Sequence, residues 1–239
     1  MQWATNLWPW PDGRLTYWFV ASIIASMAVA IAWIGAFGHW YAAVPGTVNV
    51  FVSAGTMSLF LTGTFSAGRV APSVAFSHSA IWGMFALAGL SLYFLSRRAP
   101  APSHPRMPMV VYVSFVIFAL VLLAVGGLLV LGIPNVMPWP MQPRSAVLVG
   151  WIFLGDALYF LLPLWRPVLT NACAPLLSFL VYDLVLLPQL LAHLSTVKPE
   201  HQVSLYVYIV VLIYSAALAI WYLFVNTATR RAFFTQMTP

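Results

Sequence analysis

The stretch MVVYVSFVIFALVLLAVGGLLVLGI, residues 109–133, contains no charged side chain and decides which kind of fold this chain adopts. A helix that crosses the hydrocarbon core of a bilayer needs about 20 consecutive, mostly apolar residues, and this stretch is longer than that. A run that is apolar on every side has no face that water could solvate. Residues 109–133 therefore predict a transmembrane helix.

Six further apolar runs of similar length lie before and after this one. The connectors between them are short and rich in proline, glycine or charge. The seven predicted spans are 15–37, 47–67, 74–96, 109–133, 145–165, 170–194 and 203–225. The sequence thus predicts an all-α, polytopic integral membrane protein with a single transmembrane helical domain over residues 1–239.

The composition excludes a water-soluble protein. Hydrophobic residues make up 62% of the chain and charged residues only 6%, with a mean hydropathy of +0.93, whereas soluble domains carry about 25% charged residues. The net charge is +6, but the basic residues are scattered over helix ends and connectors. This distribution indicates contact with anionic lipid headgroups and no nucleic-acid partner.

The basic residues also predict an orientation in the membrane. One side carries Arg97, Arg98, Arg106, Arg166, Arg230 and Arg231, and the other carries Arg14, Arg69, Arg144 and Lys198. The side with both Arg-Arg pairs is predicted to be cytoplasmic, which puts the N-terminus outside and the C-terminus inside. A bacterial inner (plasma) membrane is the expected location. Trp8, Trp10 and Trp139 are predicted to form an aromatic belt at the outer boundary.

An internal repeat is a further prediction. Pro-Trp-Pro occurs at residues 9–11 and 138–140, and an aromatic segment before an Arg-Arg pair ends both the third and the seventh span. The offset is about 130 residues in both cases. It predicts repeat units 8–98 and 137–231 in a 3+1+3 arrangement, linked by helix 109–133, a plan known among transporters. The alternative is that interfacial Trp, Pro and Arg residues recur at unrelated helix ends.

Two of the four acidic residues fall near the middle of predicted spans. Asp12 and Glu200 lie in connectors, whereas Asp156 and Asp183 lie within spans five and six. A charged side chain at the bilayer centre costs about 2.5–3.5 kcal/mol on insertion scales, so a partner, a water-filled cavity or protonation must offset it. Asp156 and Asp183 are therefore predicted to bind a proton or an ion. A purely structural hydrogen bond is the alternative.

Span six carries a second polar feature. Tyr182, Gln189 and His193 are spaced at i, i+7 and i+11, which places them on one helical face. Pro188 interrupts the backbone hydrogen bonds between them. The stripe predicts a polar pathway from the middle of the membrane to the outer surface, with polar contacts between helices as the alternative.

Other classes of site are restricted by residue type. His78 and His193 are expected at similar depth, so they are candidate haem b or metal ligands, or contacts for a quinone headgroup. Cys173 is the only cysteine, and no predicted span contains a lysine that could form a retinal Schiff base. Neither a phosphate-binding loop nor a known catalytic motif occurs, so no catalytic residues are predicted.

Residues 69–98 resemble a haem-ligating helix of the catalytic subunit of haem–copper oxidases. The resemblance is carried by His78, Gly83, the pair Tyr93-Phe94 and the closing Arg-Arg pair. It implies that His78 ligates a low-spin haem. The other histidines of that family, including its copper ligands, are missing, so a complete oxidase is excluded and only a haem-binding relative is implied.

The dipeptide Pro188-Gln189, together with seven spans and an external N-terminus, resembles PQ-loop and sugar-efflux carriers. This resemblance implies a three-one-three helix layout, although the second copy of the dipeptide is missing.

These patterns predict a small carrier or channel for a small solute or ion, proton-coupled through Asp156 and Asp183. One alternative is a haem- or quinone-binding, or purely structural, membrane subunit of a redox complex. Another is a membrane enzyme acting on lipid or isoprenoid, with carboxylates as acid and base. The expected partners are the lipid bilayer, a small solute or proton, and further copies of the chain or a membrane complex.

Overall fold

The computed structural model describes residues 12–66, 72–100 and 105–235. Within these ranges the chain forms eight α-helices and no β-strand. The helices are α1 Arg14–Phe37, α2 Val44–Ser66, α3 Pro72–Ser96, α4 Met109–Val130, α5 Pro143–Trp165, α6 Leu169–His193, α7 Pro199–Ile220 and α8 Thr227–Phe234. A 3-10 turn, Trp40–Ala43, leads into α2, and a π-helical turn, Trp221–Val225, extends α7.

Seven of the described helices are long and apolar enough to cross a membrane. This confirms the predicted all-α, seven-span membrane fold. The largest difference is at the second span, which starts at Trp40 instead of residue 47 because the 3-10 turn continues directly into α2. Pro45 is tolerated in the first turn of α2, where its missing N–H would have no helical partner.

Successive spans run in opposite directions, so the bundle has two faces. We call the face at which α1, α3, α5 and α7 begin the N face, and the face at which they end the C face. Contacts between distant segments fix this arrangement. At the N face the backbone N–H of Gln142 donates to Asp12, and at the C face the Trp33 indole donates to the carbonyl of Phe233.

Helix α6 forms the centre of the bundle. Every residue from 169 to 178 is buried, so this half of the helix contacts protein on all sides. Helices α1 and α7 pack against α6, whereas α5 packs against α2 and α4, and α2 packs against α3. A segment that is covered all round belongs in the core of a bundle. Asp183 lies in the other half of α6, where Leu184 is exposed, and is itself buried at 1% exposure.

Glycines allow α4 and α5 to cross at very short distance. A Cβ atom on Gly126 would lie 2.9 Å from the carbonyl oxygen of Gly150, and one on Gly150 would lie 2.8 Å from the carbonyl oxygen of Gly126. Small residues at such crossings let membrane helices gain close packing where lipid offers no hydrophobic driving force.

The short helix α8 is fastened to the C face by stacked aromatic rings. Trp33 lies between His39 and Phe233, with ring-centroid distances of 4.9 and 5.4 Å. The Trp33 indole donates to the carbonyl of Phe233 at 3.1 Å, and a His39 ring nitrogen lies 2.9 Å from the carbonyl oxygen of Thr235. These contacts fix the C-terminal segment against the end of α1.

Phe233→Ala is expected to lower the free energy of unfolding by about 3 kcal/mol, because it empties a buried aromatic site. Phe233 is 4% exposed, whereas its neighbour Phe234 is 52% exposed. Unfolding in mixed detergent micelles measures the difference, with Phe234→Ala as the matched control. Equal losses in the two variants would contradict the role of the stack.

The exposed tryptophans lie at the C face. Trp40, Trp165 and Trp221 are 56%, 85% and 52% exposed, as expected for an interfacial belt. Trp139 lies at the N face, but at 2% exposure it is buried and does not face lipid as the sequence suggested. Its indole instead donates to Thr16 at 3.0 Å. Trp8 and Trp10 lie outside the described residues.

The predicted grouping of basic residues follows from the alternating helices. The C face carries Arg97, Arg98, Arg106, Arg166, Arg230 and Arg231, and the N face carries Arg14, Arg144 and Lys198. Arg69 lies outside the described residues.

Candidate functional site

Asp156 is held by an amide from a neighbouring helix. Asn49 of α2 donates to the Asp156 carboxyl of α5 at 2.6 Å, and Ser53 donates to the Asn49 side-chain oxygen at 2.9 Å. Asn49 and Ser53 are four residues apart and therefore lie on one face of α2. The three side chains form a polar contact between two transmembrane helices, and Asp156 retains partial exposure.

Gly155 makes this contact sterically possible. A Cβ atom at Gly155 would lie 2.0 Å from the Ser53 hydroxyl oxygen and 2.4 Å from the Asn49 side-chain oxygen. Even alanine would therefore force the Ser53 and Asn49 side chains to turn away, or α2 to move from α5, because the nearest backbone atom, the Asn49 carbonyl oxygen, would be only 3.3 Å from the added Cβ. The glycine brings the polar side chains of α2 against the helix that carries Asp156.

Asp183 is more deeply buried and less completely hydrogen-bonded. It is 1% exposed, and one carboxyl oxygen, Oδ2, accepts from the Ser215 hydroxyl of α7 at 2.7 Å. The other oxygen, Oδ1, has no hydrogen-bond partner among the described residues. A buried polar atom without a partner is costly. A proton or a cation at Oδ1 would offset that cost.

Both carboxyl groups lie near the middle of their helices. Asp156 is two residues from the central residue of α5, and Asp183 is two residues from that of α6, which corresponds to about 3 Å along each helix axis. The hydroxyls of Tyr182, which precedes Asp183 in α6, and of Tyr208 in α7 are 2.5 Å apart. A pair of phenol groups thus joins α6 to α7 one residue from Asp183.

A second polar link joins α5 to α6 and α1. The hydroxyls of Tyr159 and Ser178 are 3.1 Å apart, and Ser178 donates to the Ser26 carbonyl oxygen at 3.3 Å. Ser178 is one of the buried residues of α6. This link extends polar contacts from the region of Asp156 along the core helix.

The predicted polar stripe of α6 divides into two parts. Gln189 and His193 line a cleft of about 390 Å³ at the N face. Tyr182 lies deeper in the bundle, beside Phe19, and Trp139 packs between the cleft and the Tyr182–Tyr208 pair. The ring centroids of Phe19 and Tyr182 are 6.1 Å apart, and those of Trp139 and Tyr208 are 6.4 Å apart. An aromatic layer therefore separates the cleft from the carboxyl groups in this conformation.

His78 and His193 lie on helices that belong to different parts of the bundle. His78 is half-buried in α3, which packs against α2, whereas His193 ends α6 and contacts the Thr196 hydroxyl at 3.0 Å through a ring nitrogen. No group of three or more His, Cys, Asp or Glu side chains that could hold a metal occurs within the described ranges. The haem or metal ligation by His78 and His193 stays a prediction.

A visible absorption spectrum of the purified protein, oxidised and dithionite-reduced, tests the haem prediction. If His78 ligates a haem, the protein has a Soret band and His78→Ala loses it. His201→Ala is the matched control, because the Nδ1 atom of His201 already lies at hydrogen-bond distance, 2.9 Å, from the carbonyl oxygen of Met137. A spectrum without a Soret band, from protein expressed in cells supplied with excess haem, would contradict haem ligation by His78.

Sequence reasoning found the two acids but not their partners. Asn49, Ser53, Ser215 and Tyr208 were not predicted as site residues. An amide within a predicted span, at Asn49, was the one available signal, because polar groups in spans usually meet other polar groups. Asp12, which the sequence places in a connector, accepts hydrogen bonds from the Gln142 N–H and the Ser145 hydroxyl.

No protein-family model, curated protein or solved structure matches this chain.

Proposed function

We propose that this multi-pass membrane protein is a carrier or channel for a small solute or ion, in which Asp183 and Asp156 bind and release a proton or a cation. The observation that carries the proposal is the Asp183 carboxyl. It lies near the middle of the core helix α6, is 1% exposed, and its Oδ1 atom has no partner among the described residues.

A structural role would be expected to satisfy both oxygens of such a group. Buried polar atoms are nearly always hydrogen-bonded, and each exception calls for a physical explanation. Ser215 supplies one hydrogen bond, but its hydroxyl also lies 2.9 Å from the Val211 carbonyl of its own helix, so it is a shared donor. An exchangeable proton or cation at Oδ1 explains the remaining position, and ionisable groups inside membranes commonly serve ion pathways.

Asp156 supplies a second site of different character. The Asn49 amide donates to one of its oxygens, and the residue is less deeply buried than Asp183. The hydroxyls of Tyr182 and Tyr208, 2.5 Å apart across α6 and α7, supply hydrogen-bonding groups one residue from Asp183. We propose that the proton or cation exchanges between these two acids.

The packing of the helices supports the proposed 3+1+3 repeat. If α1–α3 correspond to α5–α7, the contact of α1 with α6 has its counterpart in the contact of α5 with α2, and the α2–α3 contact has its counterpart in α6–α7. Both members of each pair occur. The helix ends shift by about 130 residues, with α1 and α5 beginning at Arg14 and Pro143. The first Pro-Trp-Pro of the repeat lies outside the described residues.

This symmetry also relates the two central contacts. The approach of Asn49 to Gly155 between α2 and α5 corresponds in position to the hydrogen bond from Ser178 to Ser26 between α6 and α1. Parallel repeats related by an axis along the membrane normal, with a site near the midplane at their interface, are a recurring carrier plan. The proposed units are 8–98 and 137–231.

The C face is proposed to be cytoplasmic because it carries six of the nine described basic residues named above. A bacterial inner membrane, and assembly with further copies of the chain or with a membrane complex, remain predictions. The bilayer itself is the partner that the apolar spans require.

Proton uptake into proteoliposomes tests the proposed function. A potassium diffusion potential set with valinomycin drives protons inward, and an entrapped pH-sensitive dye reports them, with protein-free vesicles as the baseline. We expect uptake above the baseline. Protein that is demonstrably folded and inserted, but gives no uptake of protons or of sodium, potassium or small solutes in the parallel assays, would contradict the proposal.

A further inference from the structure

We infer that the N-face cleft binds the anionic group of an organic molecule, a carboxylate or a phosphate, through Arg14, Gln189 and His193. The inference rests on the proposed function in one respect, since it makes this cleft the N-face mouth of the path to Asp183. Binding itself needs no transport and can be measured separately.

The cleft has the size and position of a ligand site. Its volume of about 390 Å³ falls within the range of roughly 300–1,000 Å³ typical of small-molecule pockets. It is formed by the start of α1, the segment that precedes α5, and the end of α6. Three segments far apart in the sequence therefore contribute to one concave surface.

The polar groups of the cleft favour an anion. Arg14 contributes a permanent positive charge and an exposed guanidinium, and the Gln189 amide and the His193 ring add further hydrogen-bonding atoms. Arginine binds carboxylates and phosphates with two parallel hydrogen bonds, so it suits such groups better than a spherical ion. The nearest acid in sequence, Asp12, accepts hydrogen bonds from Gln142 and Ser145 at the start of α5.

Most of the remaining wall is apolar, which favours an organic anion over an inorganic one. Leu15, Trp139, Pro140 and Ala192 line the cleft, and the hydroxyl of Thr196, which also lines it, contacts the His193 ring at 3.0 Å. The Trp139 indole N–H donates to the Thr16 hydroxyl at 3.0 Å. The tryptophan can therefore contact a ligand through its apolar ring but not through this N–H. A ligand with one anionic end and a small apolar body would match both parts of the lining.

Both a free solute and a lipid headgroup can carry such an anionic group, and both can reach a cleft at the boundary of the membrane. Thermal unfolding in nanodiscs distinguishes the two sources. In discs of phosphatidylcholine alone, benzoate and phenyl phosphate are added as the probes for a free anion. In discs that contain phosphatidylglycerol, no soluble probe is added and the lipid itself is the anion.

We expect benzoate or phenyl phosphate to raise the unfolding temperature of the wild type, and Arg14→Gln to weaken that binding at least about tenfold, as the loss of a hydrogen bond between charged groups implies. Lys198→Gln is the matched control, because it removes an exposed positive charge from the same face outside the cleft. Arg14-dependent stabilisation by phosphatidylglycerol alone would assign the anionic group to a lipid. No Arg14-dependent stabilisation in either arm would overturn the inference.

Failure here and failure of the proposed function have different signatures. If both hold, Asp183→Asn loses flux but binds the probes as the wild type does, because Asp183 lies beneath the aromatic layer and outside the cleft lining. Probe binding without any flux in the wild type would support the anion site in the cleft and contradict the proposed carrier or channel function. Flux without probe binding would support the proposed function and contradict the anion site.

Discussion

Asp183→Asn is expected to reduce proton uptake by proteoliposomes to the level of protein-free vesicles while the protein remains folded. Asparagine keeps the shape of the side chain. Its amide oxygen can occupy the position of the aspartate Oδ2 and accept the same hydrogen bond from Ser215. It cannot take up or release a proton. The variant therefore removes the proposed chemistry and leaves the packing between α6 and α7 almost unchanged.

The stability of the variant separates function from structure. If Asp183 only holds α6 to α7, asparagine should preserve activity, since a neutral amide fills the same space in the 1% exposed site. If the carboxyl carries the proton, activity is lost and the unfolding free energy changes by about 1 kcal/mol or less. Glu200→Gln is the matched control, because Glu200 is exposed at the start of α7. Undiminished uptake by Asp183→Asn would exclude Asp183 as the proton site.

Infrared spectroscopy offers a second readout that does not depend on flux. A protonated carboxyl group has a C=O stretching band of its own, and a band that changes when the pH of the bathing solution is changed reports proton exchange. We expect Asp183→Asn to remove one such band. Ser215→Ala should shift that band without removing it, since the variant deletes a hydrogen bond to the carboxyl group but leaves the group itself.

The spans could be predicted from the sequence because each needs only a long apolar run. Residues 109–133 are apolar on all sides, and α4 occupies Met109–Val130 as expected. Helix α8 was not predicted, because its eight residues are too few to form a membrane span and include the charged Arg230 and Arg231. It is held by tertiary contacts of Phe233 with Trp33, which no local pattern encodes.

The site was predicted in part. Charge in an apolar run singles out Asp156 and Asp183 as candidates, and helical periodicity places Gln189 and His193 on one face, where both line one cleft. Periodicity within one helix cannot show what a neighbouring helix inserts. The aromatic layer depends on Phe19 and Trp139, which come from α1 and a connector, so the separation of the cleft from the carboxyl groups emerges only from the assembled bundle.

Gly155→Ala is the second change with a large expected effect. The added methyl group would lie 2.0 Å from the Ser53 hydroxyl oxygen and 2.4 Å from the Asn49 side-chain oxygen, so α2 and α5 must separate or the polar side chains must turn away. Overpacking costs about 1–3 kcal/mol, and the loss of a hydrogen bond to a carboxyl group adds about as much. We expect the unfolding free energy to fall by roughly 2–5 kcal/mol, measured in mixed detergent micelles. Gly127→Ala is the control, because a Cβ there has no neighbouring atom within 4 Å.

Activity and stability should both respond to this glycine, whereas Asp183→Asn should affect activity alone. Either response, a turned Asn49 side chain or a separation of α2 from α5, would remove the Asn49 amide from Asp156, which is 2.6 Å away, so proton uptake should fall even in the fraction of Gly155→Ala that folds. Asn49→Ala provides the comparison, since it deletes the same hydrogen bond without forcing the helices apart. If Asn49→Ala keeps full activity and Gly155→Ala loses it, the helix crossing matters more than the hydrogen bond. Normal stability and uptake in Gly155→Ala would mean that the contact of Asn49 and Ser53 with α5 is needed for neither stability nor uptake.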